Sequence, residues 1–145
     1  MWKTNEKKNG FFSIDALFAM IMLLLVVGTM INVYQGRSQM ATETRRKMEG
    51  KMIGEKLAGA INSVYSSGDP MTLSIDLPEN IIDEGYSISF DSISRKIVLK
   101  RGETENGPEI ANSWSVSNQV EISNLDFSKK IQIFWENSVI KVKNV

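Results

Sequence analysis

The chain has 145 residues, and its 17 lysine and arginine residues balance its 17 aspartate and glutamate residues. It contains no cysteine and no histidine, which excludes disulfide scaffolds, the usual zinc sites and Ser/His/Asp triads. A chain of this length holds one small domain together with one membrane segment. The balanced charge gives no global attraction to nucleic acid, so a nucleic acid partner is not expected.

An apolar segment of membrane-spanning length lies close to the N-terminus. Between Ala16 and Val33 the only polar residues are Thr29 and Asn32, and a helix of about 20 apolar residues crosses about 30 Å of hydrocarbon. Asp15 directly precedes this segment. An aspartate at the centre of a bilayer costs about 2.5 to 3.5 kcal/mol, and less toward an interface. This carboxylate is therefore either an interfacial first-turn residue, favoured by the helix dipole, or a functional group.

The first ten residues form a basic leader. It ends at Gly10, directly before the apolar block, and it carries one glutamate and three lysines, which are Lys3, Lys7 and Lys8. A secretory signal has its small-residue cleavage site after the apolar stretch. The leader therefore does not fit an ordinary secretory signal.

This arrangement resembles the leader of type IV prepilins, including the archaeal pilin-like precursors with class III signal peptides. The resemblance rests on Gly10, Phe11, Ser13 and Asp15, followed by the uninterrupted apolar block. It implies cleavage by a prepilin peptidase between Gly10 and Phe11, which puts Asp15 at the fifth mature position, where the family usually carries Glu. Ser13 matches the archaeal pattern at the third mature position, and Phe11 is similar to the bacterial first residue.

The resemblance also implies how the chain would assemble. The precursor would sit in the cell membrane with its basic leader inside, in agreement with the positive-inside rule, and the mature protein would enter an extracellular surface filament. Phe11, Ser13 and Asp15 would be the assembly residues, with the Asp15 carboxylate neutralising the Phe11 amine of an adjoining subunit. The implied partners are the prepilin peptidase, the membrane, an assembly platform and other pilin subunits, in a homo- or hetero-filament.

The helical pattern continues beyond the apolar block. No proline occurs over residues 34–66, helix-forming residues dominate, and Glu43 and Lys47 form a favourable i,i+4 pair. Residues 66–70 read Ser-Ser-Gly-Asp-Pro, which is a helix stop signal. The sequence therefore predicts one continuous helix over about residues 13–66.

Two apolar stripes run along the later half of this helix. The earlier stripe consists of Ala41, Met48 and Met52, and the later stripe consists of Ile53, Leu57, Ala60, Ile61 and Val64. Advancing each residue by about 100° rotates the later stripe by about a third of a turn. Two interpretations are open. Either both stripes pack on the chain's own globular part, or only the later stripe does, through Ile53, Leu57, Ile61 and Val64, and the earlier stripe contacts neighbouring subunits.

Two glycines, Gly50 and Gly54, interrupt this part of the helix. An interior glycine costs about 1 kcal/mol relative to alanine, so its presence needs a reason. Outside a membrane the GxxxG spacing is weak support for helix pairing. Local bending or a close approach of the sheet is the favoured explanation.

From Met71 onward the hydrophobic period changes from 3.6 to 2, which predicts six or seven antiparallel strands. Hairpin turns are predicted at 91–95 and 136–138. A sheet this small has few ways to cover its apolar face, and packing against the later stripe meets that need. The predicted fold class is α+β, with a long N-terminal membrane-spanning helix packed on or leading into a small antiparallel β-sheet domain, as in pilins. The alternative is a free-standing β-sandwich on a helical stalk.

The chain is thereby divided into four predicted segments. These are a cleaved leader (1–10), a transmembrane or filament-core helix (11–34), an extracellular continuation of the helix (35–67) and an antiparallel β domain (71–145).

A predicted loop over residues 101–113 carries three glutamates, Glu103, Glu105 and Glu109. Carboxylates on a Gly- and Asn-containing loop are suitable ligands for a hard cation such as calcium. A solvated loop is the favoured interpretation, and no metal site is predicted.

Four lysines near the C-terminus also have an ordinary explanation. They are Lys129, Lys130, Lys141 and Lys143. Protection of an edge strand is favoured over a basic patch for DNA or anionic polymers. Trp114 and Trp135 are expected to pack in the core or on the sheet rather than to form a ligand platform.

No spacing of Ser, Asp and Lys residues selects a nucleophile with its base, so no catalytic residue and no cofactor is predicted. The predicted function is that of a structural subunit, major or minor, of a type IV pilus-like surface filament. The alternative is a bitopic membrane anchor whose β domain binds an envelope or surface-motor component and never polymerises.

Overall fold

A single long helix opens the structure. The computed structural model describes residues 14–68, 70–104 and 106–145, and its helix α1 (Ile14–Ser67) has 54 residues. The helix ends at Gly68, whose φ of 70° is left-handed and whose amide donates to the Val64 carbonyl at 3.1 Å. Glycine is common at this position because it has no Cβ to clash there. The predicted helix stop is therefore confirmed.

The chain forms two compact units, Met1–Ala41 and Thr42–Val145. The described residues of the first unit all belong to α1. The second unit contains the remainder of α1 and all the strands that the structure describes.

Seven strands follow α1 among the described residues. They are β1 (Thr72–Ile75), β2 (Tyr86–Asp91), β3 (Lys96–Arg101), β4 (Glu109–Trp114), β5 (Val120–Ile122), β6 (Ile131–Glu136) and β7 (Val139–Asn144).

These strands form two sheets, with the orders β1-β6-β7-β5 and β2-β3-β4. Neighbouring strands are antiparallel except for β5 and β7, which run parallel with Val120 beside Ile140. The prediction of antiparallel strands is wrong for this pair. A parallel neighbour is selected by a long-range connection, which leaves no trace in the period-2 alternation of either strand.

Both predicted hairpins are present. The turn between β6 and β7 has two residues, Asn137 and Ser138, with φ values of 53° and 65°, as a type I′ turn requires. In the turn between β2 and β3, the Asp91 carboxylate accepts hydrogen bonds from the amide of Ile93 at 3.0 Å and from the hydroxyl of Ser94 at 2.6 Å. The geometry of the β6–β7 turn and the hydrogen bonds of the β2–β3 turn fix the register of the strand pairs that they join.

The later helix stripe lies in the core of the second unit. Ile53 is 6% exposed, and Leu57, Ile61 and Val64 are fully buried. They belong to one hydrophobic cluster that includes residues of both sheets, among them Ile97, Leu99, Ile133, Ile140 and Val142. The α+β class is confirmed, and the helix packs on the strands of the second unit rather than supporting a free-standing sandwich.

Two glycines allow α1 to approach strand β4 closely. A Cβ added to Gly50 would lie 2.7 Å from Cγ2 of Ile110, and one added to Gly54 would lie 2.7 Å from Oγ of Ser113. Real Cβ atoms do not tolerate such distances. Close sheet contact, rather than helix pairing, therefore accounts for both glycines within the chain.

Candidate functional site

The first unit presents an uninterrupted apolar helix. From Ala16 to Gly36 there is no charged residue, and the flanking charges are Asp15 and Arg37. All described residues up to Arg45 are exposed. By length and composition this part of α1 is able to cross a membrane.

One polar side chain of this segment, Thr29, is compatible with an apolar environment. The Thr29 hydroxyl donates to the Val26 carbonyl at 2.8 Å, so it is satisfied within the helix. A Cβ added at Gly28 or at Gly36 would meet nothing within 4 Å. The residues that the structure describes therefore give no packing reason for these two glycines, which leave the helix surface open to close approach.

The predicted assembly residues are only partly described. Asp15 lies in the first turn of α1, exposed, where the helix dipole favours a carboxylate. Gly10, Phe11 and Ser13 lie outside the described residues. The pairing of Asp15 with an amine at Phe11 therefore stays a prediction.

No described part of the chain covers the earlier helix stripe. Met48 and Met52 are 64% and 69% exposed in the second unit, and Ala41 is exposed in the first unit. The interpretation in which both stripes pack on the chain's own globular part is wrong for Met48 and Met52, because the close contact of α1 with β4 turns this face of the helix to solvent. The other interpretation, contact with neighbouring subunits, stays open.

A cluster of ion pairs ties the start of the second unit's helix to its sheet. Arg46 is 6% exposed; it pairs with Glu43 and, at 3.1 Å, with Glu84. Arg101 of β3 pairs with the same two carboxylates, at 2.8 Å to Glu43 and 3.2 Å to Glu84. The hydrogen bond from Arg101, together with the charge of Arg46, lowers the pKa of the Glu43 carboxyl below its ordinary value of 4.5. Both arginines are committed to this network, which holds helix and sheet together.

The predicted glutamate loop is shorter than expected. Strand β4 begins at Glu109, whose carboxylate accepts a hydrogen bond from Asn112 at 2.6 Å. Glu105 lies outside the described residues. Within the part of the chain that the structure describes, no three carboxylates come close enough to hold a metal ion.

The explanation of the C-terminal lysines needs correction. Lys141 and Lys143 lie on β7, which has neighbours on both sides and is not an edge strand. Lys141 pairs with Glu136 at 2.6 Å, which raises the pKa of the Lys141 amine, and Lys143 lies over the ring of Phe134. Edge protection is therefore the wrong explanation for β7, since Lys141 balances acidic neighbours and Lys143 covers an aromatic ring.

The two tryptophans have different environments. The indole of Trp135 donates to the Val64 carbonyl at 3.0 Å, so it packs between β6 and the end of α1 as expected. Trp114 is 65% exposed, with the Lys96 amine 4.6 Å from its ring centroid. A core position is wrong for the Trp114 side chain, because the alternation of β4 turns Ser113 inward instead. A sheet-packing role is confirmed, since Lys96 is the cross-strand neighbour of Trp114.

A cleft that the sequence did not reveal lies in the second unit. It encloses about 530 Å³ beside the start of β2, and the residues on its sides include Glu79, Glu103 and Asp126. Among its lining residues, Phe127 stacks on Tyr86 with ring centroids 4.3 Å apart. Its members come from four separate parts of the chain, so no local motif announces the cleft.

Comparisons with protein-family models, with curated proteins and with solved structures find no match to this chain. The interpretation of its function therefore depends on the residues and surfaces described above.

Proposed function

We propose that this chain is a structural subunit of a type IV pilus-like surface filament, processed after Gly10 by a prepilin peptidase. The observation that carries the proposal is the charge-free helical segment from Ala16 to Gly36, which is exposed throughout and has a carboxylate directly before it. The second unit has its own buried core. Because the core is complete without the segment from Ala16 to Gly36, the segment is not needed to fold the second unit. We therefore expect its apolar surface to be buried in a membrane or in a bundle of like helices.

The proposed cycle begins in the cell membrane. The precursor spans the bilayer with its leader lysines inside and its β domain outside. Cleavage after Gly10 frees the amine of Phe11, and the assembly platform then transfers the subunit into the filament. There the apolar segments bundle into a core, while the second units form the outer surface.

Asp15 has a specific role in this proposal. A carboxylate beside the hydrocarbon of the bilayer is unfavourable unless it sits at the interface or finds a cation. In the filament, the Phe11 amine of an adjoining subunit supplies that cation. Phe11 and Asp15 are four residues apart in the sequence, so a small shift between neighbouring subunits brings one to the other. The two charges neutralise each other only when the helices of neighbouring subunits are aligned so that Asp15 reaches the Phe11 amine. Bundling of the apolar segments is therefore favourable only in that alignment.

Two surface features support contacts with other subunits. Gly28 and Gly36 leave the helix open to close approach, which favours packing between apolar helices. Met48 and Met52 expose apolar side chains on the second unit, and methionine adapts well to contact surfaces. Among the described residues, nothing packs on either feature.

The test is incorporation of Asp15 variants into filaments. Asp15→Ala leaves the buried amine of a neighbour without its partner, at a cost of about 3 to 5 kcal/mol for each contact, so we expect incorporation to be lost while the membrane level stays normal. Asp15→Glu retains the charge and is the matched control, which should still incorporate. The readout is the ratio of protein in sheared surface fractions to mature protein in membranes.

The opposite result has a clear meaning. A membrane anchor that never polymerises would lose an unfavourable charge in Asp15→Ala and would insert at least as well. Equal incorporation of Asp15→Ala and Asp15→Glu would contradict the role of the carboxylate, and wild-type protein absent from sheared material would favour the anchor.

A further inference from the structure

The cleft beside the start of β2 is lined by exposed acidic residues and by half-buried apolar residues. Within the part of the chain that the structure describes, its sides include the carboxylates of Glu79, Glu103 and Asp126 and no lysine or arginine. Asp126 already pairs with Lys129 at 3.3 Å, so Glu79 and Glu103 dominate the charge of the cleft. The apolar residues of its lining include half-buried Leu125 and Phe127. We call this site the acidic cleft.

The opposite end of the β2–β3 hairpin has complementary chemistry. Ile93 is 95% exposed there, and Arg95 is exposed beside it with a φ of 54°. The carboxylate of Asp91 is turned into the loop, where it accepts the amides of Ile93 at 3.0 Å and Ser94 at 3.4 Å. Residues 92–95, which we call the hairpin tip, therefore present one apolar side chain and one cation on a preformed turn.

The cleft and the tip lie at opposite ends of the same strand pair. Tyr86 pairs with Arg101 at the cleft end, and Asp91 pairs with Lys96 at the tip end. Six residues of strand separate the two ends by about 17 Å at 3.4 Å per residue. When a surface at one end of a subunit fits a different surface at the other end of the next subunit, the contact is head-to-tail. Contacts of this kind build open filaments.

We infer that the hairpin tip of one copy docks in the acidic cleft of the next copy, with Ile93 against the half-buried apolar residues of the cleft and Arg95 at the Glu79 and Glu103 carboxylates. The occupant is a second copy of this chain because its hairpin tip supplies a cation for the acidic residues of the cleft and an apolar side chain for Leu125 and Phe127. Burying Ile93 gives the contact its affinity, and the charges fix its orientation. The inference rests on the proposed filament, to which it adds a contact between the second units.

The absence of cysteine from the chain makes this contact directly measurable. Ser92→Cys places a thiol at the tip, and Ser123→Cys places one at the cleft; both side chains are exposed. A disulfide forms only between cysteines whose Cα atoms come within about 7 Å. The full-length double variant is oxidised in membranes and in sheared surface fractions, and its products are separated without reductant.

A head-to-tail contact predicts a ladder of covalent dimers, trimers and longer products from the double variant. Each single variant lacks one half of the pair and should give no product beyond a dimer. Ser74→Cys combined with Ser92→Cys is the matched control, since Ser74 is exposed on β1, away from the cleft, and it should give no ladder. The membrane level of each variant shows whether it has folded.

Charge reversal then tests the chemistry of the contact in the cross-linking background. Arg95→Glu should reduce the cross-linked fraction about fivefold, and Ile93→Ser about tenfold or more. Adding Glu103→Arg to Arg95→Glu should restore cross-linking, which a merely destabilised variant would not do.

The outcomes separate this inference from the filament itself. Wild-type incorporation into filaments without a ladder would overturn the tip-to-cleft contact and leave the proposed function intact. A ladder in membranes from a chain that never reaches sheared fractions would support the contact and contradict the filament. If neither a ladder nor incorporation is found, both proposals are overturned.

Discussion

Gly54→Ala tests the close approach of α1 to strand β4. In a helix, replacing glycine by alanine stabilises by about 1 kcal/mol when the site is open. At Gly54 the new methyl group would lie 2.7 Å from Oγ of Ser113 and 3.2 Å from Cδ1 of Leu99. Overpacking of this kind costs about 1 to 3 kcal/mol. The net expectation is a loss of up to about 2 kcal/mol in the free energy of unfolding.

Gly59→Ala is the matched control on the same helix. A Cβ at Gly59 would meet nothing within 4 Å, so this variant should be more stable than the wild type by about 1 kcal/mol. The two variants should therefore differ by about 1 to 3 kcal/mol, the overpacking cost alone. Urea unfolding of a chain beginning at Thr42, where the compact second unit begins, measures both.

A second substitution, at Ser113, tests whether its hydroxyl causes the overpacking in Gly54→Ala. The Ser113 hydroxyl is buried and makes no hydrogen bond within the part of the chain that the structure describes, so Ser113→Ala alone should cost little. Combined with Gly54→Ala it removes the closest contact and should recover part of the lost stability, a non-additive result typical of touching residues. Equal stabilisation by Gly54→Ala and Gly59→Ala would refute the described packing of α1 on β4.

Two further predictions concern the second unit. Leu57→Ala removes a fully buried side chain and should lower the free energy of unfolding by about 2 to 5 kcal/mol. Met52→Ala, on the exposed stripe, should change it by less than about 0.5 kcal/mol. Similar urea midpoints for the two variants would contradict the assignment of the two stripes. The pKa of Glu43 is lowered in the folded state, so its ion pairs stabilise the fold above the ordinary pKa of 4.5 and are lost as the pH falls below that value. The difference in Tm between wild type and Glu43→Gln should be largest near neutral pH and should shrink on acidification, and a difference that does not vary with pH would contradict it.

Local patterns in the sequence were sufficient to predict the elements of the fold. The helix stop at Gly68 and the turn at Asn137 and Ser138 depend on residues next to each other in the chain, so both were identified. The later helix stripe could be recognised because its spacing follows the helical period. The partner of that stripe followed from the need of a small sheet to cover one face.

Features that depend on distant parts of the chain were not predicted. The parallel pairing of β5 with β7 and the division into two sheets are decided by connections between strands, not by the alternation within them. The exposure of Trp114 follows from the alternation of β4, which places Ser113 against Gly54 of the helix. Tryptophan is usually at least partly buried, and no residue of β4 indicates that Ser113 rather than Trp114 faces the helix.

The candidate assembly site was predicted from its order in the sequence rather than from its geometry. Asp15 is seen in the first turn of an exposed apolar helix, but Gly10, Phe11 and Ser13 lie outside the described residues. The acidic cleft was missed because its lining residues come from four separate parts of the chain. The turn at the hairpin tip was predicted, but its position opposite the cleft follows only from the pairing of β2 with β3.

The most direct test of the central claim is the N-terminal sequence of the protein recovered from sheared surface fractions of cells that possess the peptidase. A filament subunit of the proposed kind should be abundant in that fraction and should begin at Phe11. Gly10→Val, which removes the small residue at the proposed cleavage site, should leave an uncut precursor in the membrane. A protein that begins near Met1, or that occurs only in membranes, would contradict the account.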